Sequence, residues 1–286
     1  MQRTTEGWGS GLLGVIIFSG SLPATRVAVG EFTPLFLTSA RAVIAALLGA
    51  ALLVALRERR PSRQDLVPLA VVALGVVIGF PLLTALALQH ITAARSIVFI
   101  GLLPLATAIF GVIRDGERPK PAFWLFSVGG AASVAGFALA NSSFGSLASD
   151  LLMIAAIVLC GLGYAEGARL SRRLGGWQVI SWALVVALPM MALLAITSLP
   201  DVWTGIGGPA WLGLAYVSVF SMLVGFVFWY RGLALGGIAG VGQLQLLQPF
   251  FGLALAGLLL GEPIAWTMIA VTGLVVLCVA GAKRFA

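Results

Sequence analysis

Charge is scarce in this chain. Asp, Glu, Lys and Arg make up 9% of its 286 residues, where a soluble domain carries roughly a quarter; a water-soluble globular protein is excluded. Cysteine is scarcer still, and Cys160 and Cys278 both lie in apolar runs, so a disulfide framework is excluded and they read as small core residues. The lone histidine, His90, has no second histidine near it, and neither a metal site nor a cofactor is expected. No glycine pattern carries the lysine of a phosphate loop. Acids are the most telling shortage. Glu166 lies near the end of one apolar run and every other Asp or Glu falls in a loop or at a run's edge. An intramembrane carboxylate relay for protons is thereby excluded, and no Ser-His pairing or acid cluster offers a membrane enzyme its titratable dyad.

What is there is apolar: 60% of residues are hydrophobic and the mean hydropathy is +1.08. Ten runs of spanning length lie near Trp8 to Ala28, Leu35 to Leu56, Leu66 to Leu88, Ala94 to Ile113, Phe123 to Ala140, Ala148 to Ala168, Trp177 to Thr197, Ala210 to Tyr230, Ile238 to Leu260 and Ile264 to Ala282. The first follows only Arg3 and reads as an uncleaved span. Helices are the expected state, because an open sheet leaves backbone groups unpaired in lipid and the runs lack a barrel's alternation. The fold class is therefore all-α and integral to the membrane.

The net charge of +7 reports topology, since the basic residues sit in small groups between runs and form no nucleic-acid patch. With the N-terminus in the cytoplasm, fourteen Lys and Arg residues fall inside and only Arg26, Arg41 and Arg95 fall toward the outside. That split predicts both termini in the cytoplasm.

The halves repeat one another. Pro104 precedes Glu117 of Gly116-Glu117-Arg118-Pro119 by thirteen residues, and Pro249 precedes Glu262 of Gly261-Glu262-Pro263 by thirteen. Arg26 at the end of span one matches Arg169 at the end of span six. Five spans per half place the second copy upside down, so the chain divides into residues 1–145 and 146–286 as two inverted five-helix repeats. Such repeats rock about a central site to give alternating access. A transporter is expected, with a membrane enzyme or a non-transporting assembly factor as the rival classes.

Ten spans in this order, GSLPATRVAV running into PLFLTSARAVIAAL, and the paired GERP and GEP motifs resemble the EamA-type proteins of the drug/metabolite transporter superfamily, and within them the aromatic and broad-range amino acid exporters. The resemblance implies a multi-pass exporter in a bacterial inner membrane, with amino acids as solutes, membrane lipid as surroundings and no nucleic acid as partner. A monomer suffices for that. Drugs or other small metabolites on the same fold are the alternative cargo. The family pattern also places a basic residue at the end of the first helix and an Arg in the second, here Arg26 and Arg41. Near Leu184, the place matching Arg41, half two has no counterpart.

Candidate site residues follow from polarity and helix breaks. Paired breaks in corresponding spans point to a transporter site, which singles out Pro104 and Pro249, with Pro81 and Pro23 as further bends; packing kinks explain them equally well. Gln245 and Gln248, three apart on span nine, share a helix face whose amides suit a zwitterion or an interhelical hydrogen bond. Phe80, Phe99, Tyr164, Phe226 and Trp229 would form a stacking wall as a group, although each alone fits ordinary packing. Arg41 lies about 9 Å below the end of span two at 1.5 Å per residue, and either braces helices or meets a substrate carboxylate. Glu117 and Glu262 are expected to cap or anchor the next helix. The glycines at 236 and 240 and at 257 and 261 suit close helix approach. With no acid relay, the expected mode is a uniporter or facilitator driven by the solute gradient, with His90 or a loop acid as the remaining route to proton coupling.

Overall fold

Backbone N–H and C=O groups in a hydrocarbon layer can be satisfied only by each other, and a chain this apolar folds accordingly into helices. The computed structural model describes residues 2–115, 120–140, 144–236 and 241–285, and no strand occurs among them. Glu117 and Gly240 lie outside the described residues. Among the described residues seven helices are long and apolar enough to cross a membrane: α1 (Thr5–Ala28), α2 (Pro34–Ala55), α3 (Arg63–Leu88), α4 (Ala93–Ile113), α6 (Leu147–Leu174), α7 (Gly176–Thr197) and α8 (Gly208–Leu233). Three further apolar helices, α5 (Pro121–Ala140), α9 (Leu244–Leu260) and α10 (Trp266–Arg284), occupy the places of the remaining runs. Helix α6 continues past the expected Ala168 to Leu174 because Arg172 and Arg173 in its last turn complement the carbonyl end of the helix.

The departures from α geometry come in matched pairs. Ala73–Gly79 in α3 and Tyr216–Val224 in α8 are π-helical, and they overlap when the halves are offset by the 145 residues that separate Pro104 from Pro249. In α3 the cause is local: Pro81 has no N–H to give the carbonyl of Val77, and a wider turn before it relieves the crowding. The same offset aligns the break at Gly101–Leu102 in α4 with the end of the 3-10 stretch Gly242–Leu247 in α9. Pro104 and Pro249 are therefore not kinks in continuous helices, as the sequence suggested. Each sits in the first turn of a new helical segment after a break, where a missing N–H costs nothing.

The halves interlock. Helix α1 packs on α8, α3 on α6 and α2 on α7, so each of these contacts joins one half to the other. Small residues set the approach. A Cβ on Gly75 would lie 2.5 Å from the carbonyl oxygen of Leu159 and 2.8 Å from Cα of Gly163, and one on Gly232 would lie 2.7 Å from the backbone nitrogen of Gly11. Backbone on both sides cannot move aside as a side chain can. Gly75→Ala should therefore cost about 1–3 kcal/mol, the usual penalty of overpacking, seen as a lower unfolding midpoint in detergent. An unchanged midpoint would mean that α3 and α6 are free to separate.

Glu262 behaves differently from the expectation. Its carboxylate accepts from the backbone N–H groups of Ala93 and Ala94 at 3.0 and 2.7 Å, capping the start of α4 in the other half and not the helix that follows it. Gly261, at φ 63°, turns the chain back across the bundle and makes that reach possible. A carboxylate at a helix N-terminus satisfies orphan donors and complements the dipole.

Candidate functional site

Where α1, α2, α3, α4, α6, α8 and α9 meet, the bundle encloses a central cavity. Residues that the two repeats place at equivalent positions line it: Ser21 and Tyr164, Val76 and Ser221, Pro81 and Phe226, Leu103 and Gln248. Leu103 and Gln248 each precede one of the paired prolines, so each break aims the residue before its proline at the centre. The space open to water-sized groups is about 30 Å³, room for no more than a few waters. This is a closed state; a solute larger than that enters only after the halves move.

Arg41 is the one lining residue that breaks the symmetry in charge. It is 5% exposed, Nη2 donates to Oγ of Ser221 at 3.2 Å, and Nε has no partner. Ser221 is in turn hydrogen-bonded to Ser21, Oγ to Oγ at 2.7 Å. Among the described residues no Asp or Glu lines the cavity and no carboxylate pairs with Arg41. A buried guanidinium without a counter-charge is expensive to hold, whereas a structural arginine of the bundle, Arg95, has its carboxylate. The side-chain Oε1 of Gln248 is likewise unpartnered, in a residue 8% exposed.

Aromatic rings cluster in the same lining. Phe18 and Phe226 meet edge to face at 4.9 Å, and Tyr164 lies 5.9 Å from Phe226 and 6.5 Å from Phe18. Such rings present apolar faces and polarised edges to whatever stacks among them.

Six of the residues singled out in the sequence line the cavity: Arg41, Phe80, Pro81, Tyr164, Phe226 and Gln248. The rest do not. Phe99 is fully buried in the core. Trp229 packs behind the wall, 6.0 Å from Tyr164 and 6.4 Å from Phe18. Gln245 is buried on the 3-10 stretch with Nε2 unpartnered; the shared α-helical face expected for it and Gln248 does not hold, because the helix changes pitch at Gln248. Phe18, Ser21, Leu22, Val76, Leu103, Cys160 and Ser221 line the cavity without having been singled out. The repeat offsets were the available signal: the one that carries Arg169 onto Arg26 carries Tyr164 onto Ser21, and the one that carries Pro249 onto Pro104 carries Gln248 onto Leu103. No three of His, Cys, Asp and Glu gather as metal ligands among the described residues.

Polar contacts close both ends of the bundle. At one end Arg26 donates to the carbonyl of Leu88 at 2.6 Å, and Glu31 accepts from the backbone N–H of Gly207. Asp150 there holds Arg95 by two hydrogen bonds, at 2.9 and 2.5 Å. At the other, arginine-rich end, Arg173 pairs with Asp65, and Gln178 donates to Glu58 at 3.1 Å.

Comparison with known proteins agrees with this architecture. Residues 7–139 and 147–282 each match the model of the EamA-like transporter family. An uncharacterized transporter of Bacillus subtilis, YdeK, is 64% identical over 286 residues, covering 100% of both chains. A probable terminal-alkyne amino-acid exporter of Streptantibioticus cattleyicolor is 23% identical over 260 residues, 88% of this chain and 84% of its own. A solved crystal structure superposes with a TM-score of 0.68 over 99% of this chain and 98% of its own, at 21% identity, a likeness of fold.

Proposed function

The chain belongs to the EamA-like transporter family, and from that premise we propose that it exports amino acids, aromatic and other neutral ones included, across a bacterial inner membrane. It crosses ten times, as two inverted repeats over residues 1–145 and 146–286, with both termini in the cytoplasm. The arginine-rich end then faces the cytoplasm, in keeping with retention of basic flanks on that side.

One observation carries the reading: Arg41, buried in the central cavity, has a neutral hydroxyl and no carboxylate as its partner. A substrate carboxylate supplies the missing charge through a charge-assisted bond. The Oε1 of Gln248 accepts from the ammonium group, and the rings of Phe18, Phe80, Tyr164 and Phe226 take the side chain. Rocking of the interlocked repeats opens the cavity to one end and then the other. With no acid among the described residues that line the cavity, the solute gradient alone drives the cycle, as in a facilitator.

Uptake into liposomes by the purified protein tests this, with threonine, methionine, phenylalanine, lysine and glutamate set against empty liposomes, with and without a proton gradient. Saturable uptake of several of them without the gradient is expected, and phenethylamine, which lacks the carboxylate, should not compete. Equal competition by phenethylamine would remove Arg41 from solute recognition. No uptake of any of the five by folded protein would remove amino acids as cargo.

A further inference from the structure

The closed cavity is far smaller than an amino acid, yet it holds a guanidinium. Its free space of about 30 Å³ is room for a few waters and suits a small inorganic ion. What faces that space is a set of donors without a negative charge. Arg41 contributes a buried cation whose Nε is unpartnered. In the Ser21–Ser221 pair one hydroxyl donates to the other, which leaves the second O–H free to turn toward the space. Ser221 also accepts from Arg41, so the pair and the guanidinium act as one unit. Gln248 lines the same cavity; its unpartnered atom is Oε1, and turning the amide presents its NH2 instead. A cation, a hydroxyl and an amide, with no Asp or Glu among the lining residues, make a site for an anion.

We propose that a small monovalent inorganic anion, chloride under ordinary ionic conditions, occupies this cavity in the closed, solute-free protein, and that the solute's carboxylate displaces it. The inference rests on the cavity being the solute site and not on which solute it carries. It gives the solute-free state its missing counter-charge: without an anion, Arg41 would pass through closure unpaired in a medium where an isolated charge is strongly disfavoured. Chloride and carboxylate thus compete for one guanidinium, and the closed solute-free form is an anion-bound form.

The test uses the full-length protein in detergent or nanodiscs, moved from isethionate, a bulky anion with no carboxylate, into chloride or bromide at constant ionic strength. Chloride should raise the unfolding midpoint of the wild type by several degrees along a saturable curve. In Arg41→Met that curve should be absent, and in Ser221→Ala, which keeps the charge, its midpoint should shift several-fold to higher chloride. The apparent Kd for phenylalanine should rise about tenfold once chloride reaches ten times its own Kd, the result of simple competition. An equal response of wild type and Arg41→Met to chloride would overturn the proposal, and so would phenylalanine binding indifferent to chloride. Chloride stabilisation that depends on Arg41, with no phenylalanine binding at all, would uphold the anion site and reject the amino acid reading, so the two stand or fall separately.

Discussion

In chloride-free buffer, Arg41→Met will raise the unfolding midpoint of the solute-free protein and abolish its uptake of carboxylate-bearing solutes. The two effects have one cause. Arg41 is 5% exposed, bonded to Ser221 and to no carboxylate. Replacing a buried charge by an apolar side chain of similar length removes a desolvation cost, and such exchanges are neutral or stabilising by about 1–4 kcal/mol. Loss of one partner of a buried charge pair costs about 2–5 kcal/mol of binding, which at about 1.4 kcal/mol per decade is a loss of roughly thirty- to several-thousand-fold. Arg41→Lys should keep part of the activity, since an ammonium supplies the charge but not the planar fork. A fall in the midpoint of Arg41→Met would instead make the arginine a strut between α2 and α8, the structural role that its sequence position favours.

That ambiguity marks where sequence stops and structure begins. Hydropathy locates helices well because lipid leaves the backbone no other state, and the offsets from Pro104 to Pro249 and from Arg26 to Arg169 are visible without coordinates. The face a residue presents is another matter. Amphipathic periodicity picks out one face of a soluble helix, but a helix apolar all round offers no such contrast, so Phe80 and Phe99, or Phe226 and Trp229, look alike in sequence and diverge in space. The π-helical stretches of α3 and α8 and the 3-10 stretch of α9 then shift the phase of every residue beyond them. Gln245 is displaced from the cavity in this way, while Gln248, at the start of regular helix, stays on it. Ser21 and Ser221 were overlooked for another reason: each is unremarkable alone, and their meaning arises from 2.7 Å across the interface between repeats.

Asp150 shows the same limit for charge, and it carries the second large effect. In sequence it is an acid at the edge of span six, and Arg95 is one of three basic residues on the far side of the membrane. In the fold they form a two-bonded pair, with Asp150 1% and Arg95 8% exposed, and the guanidinium also lies 5.3 Å from the ring centre of Phe137. Asp150→Asn takes away the carboxylate that holds this cation by two hydrogen bonds and should cost about 3–5 kcal/mol, and Arg95→Met should cost about as much by stranding the carboxylate. The double variant Asp150→Asn with Arg95→Met removes both charges and should recover most of the loss, because only the unpaired ion is expensive. Chemical unfolding of the four proteins in one detergent gives the coupling directly, expected at about 3 kcal/mol or more, above the 0.5–3 kcal/mol usual for contacting residues, because each single loss strands a buried ion. Stability regained without transport would have a specific meaning. Arg95 follows directly on Ala93 and Ala94, whose N–H groups Glu262 holds, so the start of α4 is clamped by two acids from the other half. Removing one clamp by a neutral exchange keeps the fold while freeing α4 to open at the wrong point of the cycle. A coupling below about 0.5 kcal/mol would show that Arg95 and Asp150 stabilise the bundle independently and that no such clamp exists.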